Sequence, residues 1–291
     1  MLNTFFSSKP TASISLFLGI DRIALCIRQK KQVSLLAQTA ITSDSQWAEK
    51  FDSWVDEFKL HKYQVSVVLS RDFYQTFDIE KPKVAENELL ASLPFAIKDL
   101  ITDSIFDVVV DYYDRPLVPQ KGEMITAVCI AKHKVLQIRD MLLKHSLLIK
   151  EITIEELALA RLLGETEEVN LLLSQQSNEL ILTVVKSGQL FFTHRLRGFN
   201  ELLQQPFAQV EEELLDGLSL ELQRVLDYIN SQLRLASIAH LYIAVVCQDI
   251  QLLSEKLGLY LAKNVVPFGE DEQYDFSNIL PYGLLVESNE E

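Results

Sequence analysis

Short apolar runs with a two-residue period alternate along the chain with longer tracts of helical period, and this order predicts an α/β protein whose plan occurs twice. Residues 14–20, 23–28 and 33–41 read as three strands, the first two separated only by Asp21 and Arg22. Trp47, Phe51, Trp54, Val55 and Phe58 then recur at the spacing of one buried helix face, with Ser43 and Gln46 as a capping-box start. Residues 65–69 form a compact apolar strand. The next run alternates, so Phe73, Phe77 and Ile79 are expected to share one strand face. A helix is expected over 86–101, kinked or delayed by Pro94.

Strands at 106–113 and 124–130, a helix at 135–145, a strand at 148–153 and a helix at 154–163 ending on Gly164 complete the first half. The acidic stretch 165–168 marks the expected boundary, giving one lobe at 1–164, with an inserted subdomain at about 80–147, and a second at 165–291. The second half opens like the first, with strands at 169–174, 180–186 and 189–196. Ser187-Gly188 is a hairpin signal between the last two. A helical tract over 210–235, broken near Gly217, precedes a strand at 240–246, a helix at 250–257 and a strand at 261–265.

With 291 residues the chain is long enough for about two cores. Its 27 cationic and 41 acidic side chains give a net charge of −14. That balance opposes the counterion release that drives binding to nucleic acid or to anionic bilayers, so neither a nucleic-acid partner nor direct membrane insertion is expected. No unbroken stretch of ~20 apolar residues is present to span a bilayer. Cys26, Cys129 and Cys247 are scattered in apolar runs and read as buried thiols in a reducing, cytoplasmic compartment. The five histidines lack metal-ligand spacing, and Asp107 and Asp111 read as solvated strand acids, so no metal site and no nucleophile is nominated.

The run Leu220-Glu221-Leu222-Gln223-Arg224-Val225-Leu226-Asp227-Tyr228 resembles the helix signature of the PilM family of actin-like pilus-assembly proteins. Leu18-Gly19-Ile20-Asp21 resembles the family's opening, Val108-Val109-Val110-Asp111-Tyr112 an inner strand, residues 186–195 the second-lobe hairpin, and Pro281-Tyr282-Gly283-Leu284-Leu285 the closing helix. The resemblance spans nearly the whole chain. It is nearest to the PilM-type members of mannose-sensitive haemagglutinin pilus systems and extends to the cytoplasmic domain of type II secretion GspL. It implies an α/β, actin-like ATPase (ribonuclease H-like) duplicated fold with an inserted subdomain. It further implies a cytoplasmic adaptor, peripheral at the inner membrane, that binds the cytoplasmic N-terminal peptide of a PilN-like single-span inner-membrane protein. That adaptor belongs to a pilus assembly platform and links it toward a motor ATPase, with a homodimer left open. The alternatives are an active ATPase or kinase-like enzyme of the actin superfamily and a filament-forming protein.

In the actin-type frame three loops hold the nucleotide, and here all three depart from the pattern. Asp21 is followed directly by Arg22 instead of a glycine-hydroxyl turn, the stretch Ser174-Gln175-Gln176-Ser177-Asn178 lacks the second loop's Asp and Gly, and residues 245–248 lack the third loop's paired glycines. The resemblance therefore implies at most a relic cleft marked by Asp21, Ser174, Ser177, Gln223 and Arg224, with no cofactor required and ATP binding without turnover left open. Gln223 and Arg224 also read as ordinary helix residues. For the partner peptide, Phe73, Phe77, Ile79, Leu89, Leu93 and Phe95 are the candidate groove, and the same six also read as core.

Overall fold

The computed structural model describes residues 12–29, 32–117, 122–176, 179–235, 238–269 and 275–285. The first sheet begins with β1 (Ala12–Leu18), β2 (Arg22–Gln29) and β3 (Gln32–Ala40) as an antiparallel meander. The helix α1 (Trp47–Phe58) returns the chain so that β4 (Gln64–Leu69) lies parallel to β1. An excursion follows, made of β5 (Tyr74–Glu80), α2 (Glu86–Ala96), β6 (Val108–Asp114) and β7 (Met124–Ala131), which form a separate three-stranded sheet in the order β5-β7-β6. Then α3 (Lys132–Leu143) leads back to β8 (Leu148–Ile154), parallel to β4, and α4 (Glu155–Leu162) leaves the sheet.

The second large sheet repeats this plan. Strands β9 (Val169–Gln176), β10 (Glu179–Lys186) and β11 (Gln189–Arg197) form the meander. Helices α5 (Asn200–Leu203) and α6 (Phe207–Tyr228) carry the chain to β12 (Ile238–Ala244), parallel to β9, and α7 (Ile250–Leu261) carries it to β13 (Val265–Pro267), parallel to β12. A short α8 (Ile279–Gly283) closes the described chain. Among the described residues the two five-stranded sheets have orders β3-β2-β1-β4-β8 and β11-β10-β9-β12-β13, the same topology with the same parallel and antiparallel pairings. The duplication expected from sequence is therefore present in the strand order itself.

The chain separates into two compact units. One holds Met1–Asp114, Glu123–Glu155 and Leu280–Val286, the other Arg115–Gly122, Glu156–Ile279 and Glu287–Glu291. The division falls at α4, ahead of the acidic stretch that marks the boundary in the sequence reading. Each unit has its own core. Ile14, Leu16, Leu18, Ile23, Leu25, Trp47 and Phe51 are fully buried in the first, and in the second the apolar face of α6 (Val210, Leu214, Leu218, Leu222, Val225) packs on Leu171, Leu173 and Leu182.

Several local expectations change. The capping box before α1 resolves into a 3-10 turn, Asp44–Gln46, in which Ser43 Oγ accepts from the Ser45 N–H and Gln46 Oε1 accepts from the Thr42 N–H at 2.8 Å. Phe73 lies in another 3-10 turn, Arg71–Phe73, so it does not share a strand face with Phe77 and Ile79; its ring meets Trp47 edge-on at 4.8 Å. Pro94 sits inside α2, where its missing N–H leaves the Leu90 carbonyl without its usual helix donor, and the helix stops two residues later at Ala96. Gly217 does not break α6. Its lack of a side chain admits the Phe199 ring, which a Cβ would meet at 3.2 Å, and burial of a whole helix face outweighs the ~1 kcal/mol propensity penalty of glycine. Helix α7 runs on to Leu261 and closes on Ala262 in the left-handed region, which displaces the last strand to Val265–Pro267.

Candidate functional site

Only three residues, 19–21, join β1 to β2. The Gly19 N–H donates to the Arg22 carbonyl at 2.9 Å, and the Gly19 carbonyl accepts from Trp47 Nε1 at 3.0 Å. A Cβ at position 19 would lie 2.8 Å from both the Arg22 oxygen and the Phe17 ring, so glycine is required here by close approach. The Arg22 guanidinium stacks over Phe17 at 4.6 Å. Asp21 is exposed, and its carbonyl accepts from the Ile41 N–H at 2.7 Å. The turn is thus closed by its own backbone.

Ser174, the expected end of a strand, lies inside β9, fully buried and paired with Ile181 on one side and Ala244 on the other, because the ladder between β9 and β10 continues to Gln176. Ser177 lies outside the described residues. The third loop follows β12, where Val246 is exposed and its N–H donates to Gln175 Oε1 at 2.9 Å. Asp249 then caps α7 by accepting from the Leu252 N–H at 3.0 Å. Burial pushes up the thiols of Cys129 and of Cys247 in this turn. A fold of this kind implies a nucleotide and its metal, held by a cradle of open backbone N–H groups. In the first and third loops the Gly19 and Val246 N–H groups are already bonded within the chain.

Gln223 and Arg224 are exposed on α6. Gln223 Nε2 donates to Asp227 Oδ1 at 2.9 Å, while Arg224 pairs with Glu221. Arg224, Glu221, Leu220 and Gly217 line an open concavity of about 410 Å³, with Arg195, Leu196, Arg197 and Phe199 across from them. Arg195 and Arg197 each bond Glu179, at 2.9 and 2.6 Å, and these hydrogen bonds, that from Arg195 foremost, hold the Glu179 carboxyl below its ordinary value against the opposite effect of burial. From sequence Arg195 and Arg197, with His194, stand out only as the densest basic patch of the second half, too small for a nucleic-acid tract; their pairing with Glu179 and their place opposite α6 were not foreseen. The one signal of that pairing is the two-residue spacing of Arg195 and Arg197, which puts both on one strand face; the opposed Glu179 needs the hairpin register.

The six candidate partner residues separate. Leu89 and Leu93 are buried with Ile125 beneath α2, and Phe77 and Ile79 pack from the strand side against Ile97 and Ala127. Phe73 is half-buried at Trp47, and Phe95 is 61% exposed. The structure therefore brings Phe77, Ile79, Leu89 and Leu93 together as the core of the inserted sheet and leaves Phe95 outside it.

No family model and no curated protein matches this chain. Among solved structures it is similar to the PilM-PilN type IV pilus biogenesis complex, at 16% identity and a TM-score of 0.67 over 94% of this chain and 97% of that one. It is also similar to the cytoplasmic domain of EpsL of Vibrio cholerae, an inner-membrane component of the type II secretion system, at 13% identity and 0.54 over 95% of each chain. A Bacteroides thetaiotaomicron protein of actin-like ATPase fold and unknown function is similar at 12% identity and 0.54, over 97% and 98% of the two chains. These likenesses define the class: the chain has the actin-like ATPase fold. Among the described residues no helix is long and apolar enough to cross a membrane.

Proposed function

We propose that the chain is a non-catalytic adaptor at the cytoplasmic face of a pilus or secretion assembly platform, where it holds the cytoplasmic N-terminal peptide of a single-span, PilN-like inner-membrane protein and links it toward the assembly motor. The observation that carries this reading is that the Gly19 and Val246 amides are bonded within the chain and Ser174 is buried in a strand, on a scaffold whose likeness to the PilM-PilN complex runs over 94% of its length. A scaffold without an open phosphate cradle retains surfaces for protein partners, and an extended peptide needs only apolar contact and some backbone pairing. The assignment to a pilus of the mannose-sensitive haemagglutinin type rests on the sequence resemblance alone. Placement at the inner membrane would follow from the partner.

Steady-state phosphate release from Mg-ATP tests the non-catalytic half. The purified chain should release phosphate at background rate with or without partner peptide. Steady release that disappears in Asp21→Ala would overturn the reading in favour of an active ATPase or kinase-like enzyme.

A further inference from the structure

We propose that the second unit binds an extended segment of a partner protein as an added strand on the edge of β11, and that this segment carries an acidic side chain between two apolar ones. β11 is the last strand of its sheet, so every second residue turns its N–H and C=O away from β10. Near its start the Phe191 carbonyl already accepts from outside the sheet, from Arg115 Nη2 at 3.4 Å. Helix α6 runs antiparallel beside this edge: the Tyr228 ring meets Phe192 edge-on at 5.3 Å at one end, and Gly217 admits the Phe199 ring at the other. Between these two contacts lies the concavity of about 410 Å³, walled by Arg195, Leu196 and Arg197 of the strand and by Leu220, Glu221 and Arg224 of the helix. An edge strand beside a helix holds an extended peptide by main-chain hydrogen bonds and reads it by alternate side chains.

The two faces of this edge differ. Leu196 is buried in the core beneath α6, so Arg195 and Arg197 stand on the opposite face, where two guanidiniums share the single carboxylate of Glu179. The Arg197 side chain is 81% exposed, and most of its donor fork faces water. On the α6 side Leu220 is 54% exposed and Arg224 is already paired with Glu221. Asp216 and Asp227 lie on α6 outside the lining, Asp227 bonded to Gln223, so the helix wall carries no excess of positive charge.

A strand laid on this edge sends successive side chains to opposite faces, so a residue beside Arg197 has both its neighbours toward α6 and Leu220. The first position selects Asp or Glu, and the two flanking positions select apolar side chains. A second β11 centred on the groove would oppose arginine to arginine, which excludes another copy of this edge as the added strand. The inference goes beyond the adaptor reading, which assigns no ligand to the second unit.

The test is a positional-scanning library of acetylated, amidated heptapeptides titrated against the full chain. The pools that bind should hold Asp or Glu at one position and apolar residues on both sides of it. In a single peptide drawn from them, exchanging the acid for its amide should weaken binding about tenfold, and exchanging it for Lys should weaken it further. N-methylation of alternate backbone nitrogens should abolish binding in one phase and be tolerated in the other, and the bound peptide should protect amides within residues 193–197 from hydrogen exchange. Arg197→Ala should bind the acid and amide peptides equally, and Leu220→Ser should weaken both about tenfold; both side chains are exposed, and thermal unfolding checks that each variant folds. No pool binding up to about millimolar peptide, equal affinity of the wild type for the acid and amide peptides, or protection confined to residues outside β11 would overturn the proposal. So would ATP binding that protects residues 195–199 and is lost in Arg197→Ala, which would give the groove to a nucleotide.

Discussion

The Val246 backbone N–H donates to the side-chain oxygen of Gln175 at 2.9 Å, tying the turn after β12 to the neighbouring strand β9. An amide side chain from within the fold thus takes this backbone donor. Gln175→Ala should lower stability by about 0.5–1.5 kcal/mol, toward the lower end because Val246 is 51% exposed and water can replace the lost acceptor. Denaturant unfolding measures it. The same variant should gain no phosphate release, since opening one donor does not build a cradle.

Gly19→Ala should destabilise the first unit by roughly 1–3 kcal/mol, because the new methyl group would lie 2.8 Å from a backbone oxygen and from the Phe17 ring. A thermal scan showing an unchanged midpoint would mean that the β1–β2 turn relaxes freely, and would remove the tight closure from the account.

Leu93 and Phe95 stand two residues apart on α2 and should behave oppositely. Leu93 is fully buried, so Leu93→Ala should cost about 2–5 kcal/mol. Phe95→Ala should change stability by about 0.5 kcal/mol or less, because the ring is 61% exposed. Paired urea titrations compare them, and equal losses would contradict the assignment of the helix faces.

Asp52 ties the end of α3 to α1 through Lys144 and His145, each at 2.5 Å. Burial pushes its carboxyl up, but the hydrogen bonds and charges of Lys144 and His145 outweigh that and hold it below the ordinary carboxylate value. A carboxyl depressed in the folded state stabilises above its unfolded value and loses that contribution as pH falls through the folded one. Asp52→Asn should therefore be less stable than wild type near neutral pH, by about 0.5–1.5 kcal/mol, with the gap closing below about pH 4. A gap that persists at low pH would show that shape, not charge, sets the effect.

Much of the fold was legible from alternation and turn chemistry. Ser187-Gly188 signalled a hairpin, and the structure has both residues at positive φ, 51° and 69°, with Lys186 opposite Gln189. The repeated meander signalled the duplication. Two expectations failed for reasons that local residue type does not carry: burial of a whole face of α6 lets Gly217 continue the helix, and the 3-10 turn at Arg71–Phe73 moves Phe73 off its expected face. The loops show the same limit. Departure from the phosphate pattern was visible at Asp21, but the polar run Ser174-Gln175-Gln176 hid the continuation of β9 to Gln176, and the Gln175 bond to Val246 spans 71 positions.

The adaptor reading meets its most direct test in a calorimetric titration of the purified chain with a synthetic peptide of the cytoplasmic N-terminal segment of its candidate single-span partner. The account predicts saturable one-to-one binding in the micromolar range, about −8 kcal/mol, with no nucleotide present. A folded chain that shows no binding up to about millimolar peptide, about −4 kcal/mol, would contradict it.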